Sequence, residues 1–246
     1  MKSFQWQIIF GISLIALSVS LYFIQIQLFR TPRDTFFYLF QDLAFVPISV
    51  LTVTLIIDQL LRIREKRVLL KKMNMVIGAF FSEVGTILLK SFTDFDLHYD
   101  KIRRNLVITN DWSEQDFSIV KKRLGEFDYS VNSEKGDLES LKNFLVGKRD
   151  FLLRLLENPN LLEHESFTDV LWAVFHLTEE LASRADVRGL PDTDYQHLSG
   201  DIKRAYVSLI SEWVTYMKHL KTDYPYLFSL AVRTNPFNPD ALPEVR

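Results

Sequence analysis

The chain has 246 residues, a net charge of −2 and no cysteine. A chain without cysteine cannot form disulfides, thiolate zinc sites or iron–sulfur clusters, and it lacks a cysteine nucleophile. Its slight acidic excess gives no reason to expect a nucleic-acid partner, because duplex binding needs a cationic face that neutralises phosphates. The charge is distributed unevenly, since residues 1–61 carry only three cations and three anions among long apolar runs.

Two apolar stretches near the amino end are long enough to cross a membrane. Ile8–Phe29 contains 22 residues without a charge, and a helix needs about 20 residues to span a hydrocarbon core about 30 Å thick. Phe36–Leu61 contains only two charged residues, Asp42 and Asp58, which lie toward its ends. The short connection between the stretches includes a proline, which resists helix continuation. The sequence therefore predicts a transmembrane hairpin with these stretches as its two spans.

A cleaved signal peptide is the rival interpretation of the first stretch. Lys2 precedes the apolar run, and Ser18-Val19-Ser20 resembles the small-residue pattern of a cleavage site. The run continues past this point through residues 21–24, however, and a second apolar stretch follows at once. These features favour two membrane spans.

The orientation of the hairpin is predicted from lysine and arginine residues near the membrane ends, which favour the cytoplasmic side. Six of them follow the second span: Arg62, Arg64, Lys66, Arg67, Lys71 and Lys72. The connection between the spans offers only Arg30 and Arg33, and the amino end offers Lys2. We therefore expect a multi-pass protein of the plasma (cytoplasmic) membrane with both termini in the cytoplasm.

The same six cations form a basic segment over residues 62–72, with a net charge of +5. The rest of the chain after Lys72 carries a net charge of −7. A cationic side chain beside a membrane attracts anionic headgroups by about 1 kcal/mol. We expect this segment to contact anionic lipid, and we expect Asp58 to pair with Arg62 one helical turn later.

A layer of four polar side chains is predicted near the outer end of the hairpin. Because the spans are antiparallel, Gln25 and Gln27 lie at a similar depth to Gln41 and Asp42. An ionised carboxylate in a membrane is costly unless it is paired or wetted, so Asp42 is expected to face protein or water. The layer fits either an ion path or a buried contact between subunits. The contact is favoured because glutamine side chains commonly join transmembrane helices.

Residues 62–234 are predicted to form a cytoplasmic α-helical bundle, and a proline-rich tail follows over residues 235–246. Apolar residues continue at helical spacing after the second span, so this helix is predicted to extend to about Leu89 and enter the bundle core. A further helix is predicted to begin at Ser113, flanked by an apolar contact between Trp112 and Phe117.

The remaining helices follow from caps and apolar periods. One is predicted from Leu138 to a stop at Asn158-Pro159, and the next is predicted to be capped by Ser166. The longest soluble helix is predicted around residues 202–220, and a short one over residues 226–233. Strand signals are almost absent, so the predicted fold class is all-α.

Motifs for chemistry are weak in this sequence. Asp94, Asp96, His98 and Asp100 occupy alternate positions, as in the opening of a calcium loop, but the glycine and the final acid of such a loop are missing. His176 precedes Glu180 by one turn, but the Glu-x-x-His pairs of metal-carboxylate bundles are absent. Each histidine is interpreted as a surface or capping residue. The sequence therefore predicts no catalytic residue, no metal site and no cofactor.

Three functional hypotheses remain. The leading one is a non-enzymatic, homo-oligomeric, membrane-tethered module that uses its bundle to bind, sense or scaffold a cytoplasmic protein partner. The second is a subunit of a small ion channel or transporter that conducts along the polar layer. The third is a membrane-anchored enzyme, which would need acidic or histidine side chains brought together by the folded bundle.

Overall fold

The computed structural model describes residues 2–29, 32–159, 161 and 164–245. Its description of side chains leaves out residues 2–11, 14, 28, 29, 32, 67 and 69–71. Over the described residues every named element is helical: nine α-helices and one π-helical turn, with no strand beyond an isolated bridge between Asp96 and Val131. The predicted all-α class is thereby confirmed for the described chain. The chain divides into two compact units, Met1–Glu65 and Lys66–Arg246.

The first unit contains helix α1 (Lys2–Phe29) and the first part of helix α2 (Pro32–Phe80). Helix α2 begins before the predicted second span, at Pro32, and its first turn contains Asp34. Proline fits the first turn of a helix, where its missing N–H costs nothing, and an acid there complements the helix dipole. The predicted loop residues Arg30 and Thr31 lie outside the described residues.

Large apolar side chains of the first unit lie on its surface. The stretch Arg33–Lys66 is long and apolar enough to cross a membrane, and its most apolar part has no buried residue. In α1, the exposed apolar side chains include Ile15 and Phe23. The shorter described apolar stretch of α1 covers Ile15–Gln27. The described apolar side chains of these two stretches therefore form no buried core.

The second unit begins with the last turns of α2, followed by the π-helical turn Phe81–Gly85 and helix α3 (Thr86–Thr93). The predicted continuation of the helix into the core is confirmed, although it extends to Thr93 rather than Leu89. Met73, Ile77 and Phe80 are fully buried or nearly so. A Cβ at Gly85 would lie 2.6 Å from the Phe81 ring and 2.9 Å from the Phe80 ring. The two rings therefore require a glycine one turn later.

Helices α4 (Tyr99–Leu106) and α5 (Glu114–Glu126) follow. The predicted start of α5 is confirmed. The Ser113 hydroxyl accepts a bond from the Asp116 amide, and the Asp116 carboxylate accepts one from the Ser113 amide. The rings of Trp112 and Phe117 pack edge to face with centroids 5.1 Å apart, as the hydrophobic staple predicts.

Helices α6 (Leu138–Leu156) and α7 (Glu165–Ala182) form the next pair. The predicted end of α6 before Pro159 is confirmed, but the predicted cap of α7 was wrong. The cap is His164, whose ring nitrogen accepts a bond from the Phe167 amide at 3.3 Å. Ser166 instead donates to the buried carboxylate of Glu212 at 2.9 Å. That partner lies far along the chain and could not be read from local sequence.

Helix α8 (Asp192–Asp223) is the longest helix that lies wholly in the second unit, and its Tyr206, Leu209 and Trp213 lie in the core. Helix α9 (Pro225–Arg233) follows, close to the predicted short helix. The start of the predicted tail also belongs to the core. Phe237 is fully buried with its ring 5.2 Å from that of Trp213.

Candidate functional site between helices α7 and α8

The predicted polar layer lies on helices α1 and α2. Gln25 is half-buried, whereas Gln27, Gln41 and Asp42 are exposed. The carboxylate of Asp42 is 3.5 Å from the hydroxyl of Tyr22, which donates to it across the hairpin. This contact joins the two helices through a tyrosine that the sequence analysis had not assigned to the layer.

The basic segment is exposed wherever its side chains are described. Arg62, Arg64, Lys66 and Lys72 all lie on the surface. The side chains of Arg67 and Lys71 lie outside the described residues. The expected ion pair is present, with Asp58 and Arg62 2.5 Å apart. Both partners are largely exposed, so this pair contributes little to stability in water.

A cluster of ionisable side chains that the sequence analysis did not find lies between α7 and α8. His176 and Glu180 are one turn apart on α7, and His197 and Asp201 are one turn apart on α8. His176 contacts Asp201, and His197 contacts Glu180. Because the order of contacts reverses between the helices, α7 and α8 run antiparallel here. The two helical pairs therefore face each other as a four-residue cluster.

The ligand-type atoms of this cluster converge. The Nε2 atoms of His176 and His197 lie 3.4 Å and 3.3 Å from the same oxygen, Oδ2 of Asp201. Nε2 of His176 lies 3.9 Å from Oε1 of Glu180 on the same helix. Nε2 of His197, on the facing helix, lies 3.5 Å from Oε2 of Glu180. These separations exceed the usual 2.7–3.2 Å of an N–H···O hydrogen bond. Each of the four contacts is nevertheless within ion-pair distance when its imidazole is protonated.

Asp201 is the buried member of the cluster. Its side chain is only 3% exposed, whereas those of His176 and His197 are 45% and 51% exposed. Arg204 donates to Oδ1 of Asp201 at 3.0 Å. The other carboxylate oxygen, Oδ2, is buried and has no hydrogen-bond partner. The oxygen that faces both imidazoles is therefore the one that no donor satisfies.

Glu180 is fixed by a different arginine. Arg184 bridges Glu180 and Asp194, with Nη1 2.9 Å from Glu180 Oε2 and Nη2 2.6 Å from Asp194 Oδ1. The hydrogen bond from Arg184 lowers the pKa of the Glu180 carboxyl, and the nearby histidines act in the same direction. The hydrogen bond from Arg184 also lowers the pKa of the Asp194 carboxyl, and the same bond raises the pKa of the Arg184 guanidinium. Glu180 is therefore held in its ionised form.

An open groove of about 490 Å³ borders the cluster. His176 of the cluster lines it, together with Trp172 and with Arg204, the arginine that donates to Asp201. The Trp172 side chain is 57% exposed, which is unusual for the largest apolar side chain. The groove gives solvent and small solutes a path to His176.

The chemistry of the cluster follows from its donor set. Two imidazoles and two carboxylates form ion pairs when the imidazoles are protonated, and they can hold a cation when the imidazoles are neutral. The repeated spacing His-x-x-x-Glu on α7 and His-x-x-x-Asp on α8 is the sequence signal that could have found it. Each pair alone resembles an ordinary ion pair at i,i+4.

Comparisons with known proteins match the chain to one protein family. The family model described as the N-terminal helical domain of MJ1433 matches residues 2–61. The model described as the C-terminal helical domain of the uncharacterised protein MJ1433 matches residues 69–233. The uncharacterised protein MJ1433 of Methanocaldococcus jannaschii is 46% identical over 238 residues, which cover 97% of this chain and 96% of the relative. No solved structure matches the chain.

Proposed function

Because the chain belongs to the MJ1433 family, whose two domains are both helical, we propose that it is a membrane-tethered helical binding module. The first unit is a transmembrane hairpin in the plasma membrane, and the second unit is a cytoplasmic bundle that binds a protein partner. The module carries no catalytic activity and works as a homo-oligomer.

The observation that carries this proposal is the exposure of apolar side chains along α2. Phe40, Leu51 and Leu55 are each more than half exposed, in a stretch of 34 residues whose most apolar part has no buried residue. Soluble monomers rarely expose contiguous apolar patches larger than a few hundred Å². Lipid is the solvent in which such a surface is stable. The equally helical stretch Lys72–Thr93 differs, because nearly half of its most apolar part is buried by the bundle.

The orientation is supported by the basic segment. Arg62, Arg64, Lys66 and Lys72 present exposed cations directly after the apolar stretch, where anionic headgroups of the cytoplasmic leaflet attract them. Among the described side chains, Arg62 pairs with Asp58, and Arg64, Lys66 and Lys72 are exposed and available to lipid.

Cysteine labelling tests the placement without background, because the natural chain contains no cysteine. We compare Val53→Cys, in the apolar stretch, with Lys122→Cys, on the surface of the bundle. In the native membrane, Lys122→Cys should react quickly with a maleimide and Val53→Cys should react slowly, since thiolate formation and reagent access both need water. Both should react equally after denaturation in detergent.

Orientation is read with a membrane-impermeant maleimide. Lys122→Cys should be labelled only from the cytoplasmic side, and Asp34→Cys, at the start of α2, only from the outside. Equal native reactivity of Val53→Cys and Lys122→Cys would contradict the hairpin. Labelling of Asp34→Cys from the cytoplasm would contradict the orientation alone.

The homo-oligomer is supported by the exposure of Gln41 and Asp42 on the hairpin. Polar side chains that face lipid are costly, and a second copy can satisfy them. Light scattering of the detergent-solubilised chain, corrected for bound detergent, should give a mass above one chain over a range of concentrations. A monomer at every concentration would refute the assembly.

The same exposure favours a second candidate, a channel or transport subunit in which copies surround a path lined by Asp42. The contact between Tyr22 and Asp42 favours the tethered module over the channel, because it gives the carboxylate a partner within the hairpin. Planar-bilayer recording separates the two candidates. A conductance that changes in Asp42→Asn supports the channel, and no conductance supports the tethered module.

A further inference from the structure

We propose that His176, Glu180, His197 and Asp201 bind one divalent cation of the zinc, cobalt and nickel class. The site belongs to the second unit alone and does not depend on the placement of the hairpin. The donor set is two imidazole nitrogens and two carboxylate oxygens. Imidazole ligands suit these metals, whereas magnesium and calcium take oxygen ligands almost exclusively.

Two separations between donor atoms match a metal coordination shell, and a third, 3.9 Å from His176 Nε2 to Glu180 Oε1, is longer. Zinc bonds of about 2.0–2.1 Å to nitrogen and oxygen place tetrahedral ligands about 3.3–3.4 Å apart. The Nε2 atoms of His176 and His197 lie 3.4 Å and 3.3 Å from Oδ2 of Asp201. The donor atoms of His176, Glu180 and Asp201 all lie within 4.8 Å of one another. These three residues form the core of the site, and His197 supplies the fourth ligand.

The unsatisfied oxygen of Asp201 is independent support for a bound cation. Asp201 Oδ2 is buried, has no hydrogen-bond partner and faces both imidazoles. A buried carboxylate oxygen without a donor costs free energy, because it has lost its water and gained no bond. A cation between the two imidazoles satisfies this oxygen, and a protonated imidazole would instead bond it at about 2.7–2.9 Å.

Two arginines hold the carboxylates in place. Arg204 binds Oδ1 of Asp201, which leaves Oδ2 for both imidazoles, and Arg184 binds Oε2 of Glu180, which leaves Oε1 on the side of His176. Metal-binding carboxylates are commonly oriented in this way by hydrogen bonds to the oxygen that does not ligate. The half-exposed imidazoles and the groove beside His176 give the cation a path from solvent.

Cobalt binding tests the proposal directly. The full-length chain is prepared in detergent without a polyhistidine tag, stripped with a chelator and titrated with Co²⁺ while visible absorption is recorded. We expect the intense absorption of tetrahedral cobalt to saturate at one equivalent per chain and to disappear when Zn²⁺ displaces the cobalt. The melting temperature should also rise with the cobalt concentration, because the ligand binds the folded state.

Three variants remove ligands one at a time: Asp201→Asn, His176→Ala and His197→Ala. The core variants Asp201→Asn and His176→Ala should weaken cobalt binding by more than about 100-fold, beyond the effect of losing a supporting hydrogen bond. His197→Ala should weaken it less and change the spectrum. If Asp201→Asn loses its helicity, the variants of the two half-exposed histidines decide the test.

His219→Ala is the matched control. His219 also pairs with an acid one turn later on α8, Asp223 at 2.7 Å, and no such group from a second helix completes a cluster there among the described residues. This variant should bind cobalt as the natural chain does. The proposal is overturned if equimolar cobalt gives no tetrahedral spectrum. It is equally overturned if the ligand variants bind unchanged, or if His219→Ala weakens binding as much as they do.

Discussion

Replacing Phe80 with alanine should unfold the bundle at a much lower urea concentration. Phe80 is the last residue of α2 and is fully buried. Its ring packs edge to face on Phe81 and on Phe167, with centroids 5.4 Å and 5.3 Å apart. Phe80 thereby attaches the end of the long helix to α7.

The magnitude follows from these contacts. Burial of a phenylalanine side chain contributes about 1.5–3 kcal/mol, and each edge-to-face pair adds about 0.5–1.5 kcal/mol. The expected loss is therefore about 4 kcal/mol, within the usual range of about 3–5 kcal/mol for replacing a buried phenylalanine with alanine. With a urea dependence of about 2 kcal/mol per molar, the midpoint should fall by about 2 M.

The assay is urea unfolding of the full chain in mild detergent, followed by tryptophan fluorescence, to which Trp213, buried against Phe237, contributes. Ile87→Ala is the control, because Ile87 lies one to two turns later and its side chain is 48% exposed. Its midpoint should move by less than about 0.5 M, equivalent to about 1 kcal/mol. A midpoint for Phe80→Ala that moves no further than that of Ile87→Ala would refute the packing argument.

Three more predictions concern separate parts of the bundle. Ser113→Ala should lower the free energy of unfolding by about 1 kcal/mol through the lost cap of α5, and an unchanged melting temperature would contradict the cap. Phe237→Ala should cost about 3–5 kcal/mol and alter the tryptophan emission of the chain through Trp213, whereas a peripheral tail would leave both unchanged. Burial raises the pKa of Asp96 above its ordinary value of 3.8. Its charged form therefore destabilises the fold as pH rises through the folded-state pKa, so Asp96→Asn should melt higher than the natural chain at pH 7. This advantage should shrink toward pH 4, and an advantage that grows on acidification would refute the sign.

Local signals in the sequence predicted much of the fold. The Ser113 cap and the Trp112–Phe117 contact lie within six consecutive residues, so the start of α5 is encoded locally. The end of α6 before Pro159 follows from the missing N–H of proline in the same way. The continuation of α2 into the core followed from apolar periodicity, which is a strong signal over a long segment.

Features that depend on distant contacts were not predicted. Ser166 was predicted to cap α7, but it donates to Glu212, 46 residues away, and His164 caps the helix. The π-helical turn over residues 81–85 lies where Phe80 packs on Phe167 and Phe81 stacks on Tyr216, partners 87 and 135 residues away. Neither arrangement leaves a local pattern.

The four-residue cluster was missed for the same reason. His176 and Asp201 are 25 residues apart and on different helices, and they meet only because α7 and α8 run antiparallel in register. Each helix contributes an ordinary pair at i,i+4, and only the coincidence of two such pairs distinguishes the site. The residues of the predicted polar layer and basic segment lie where the sequence places them along the helices, and their functions stay predictions.

The most direct measurement of the central claim is extraction of the chain from membranes. Membranes that contain the protein are washed at alkaline pH and with urea, and are then floated on a density gradient without detergent. The account predicts that the chain floats with the lipid through both washes and enters solution only with detergent. Release as a compact, monodisperse particle in detergent-free buffer would contradict a membrane-embedded hairpin.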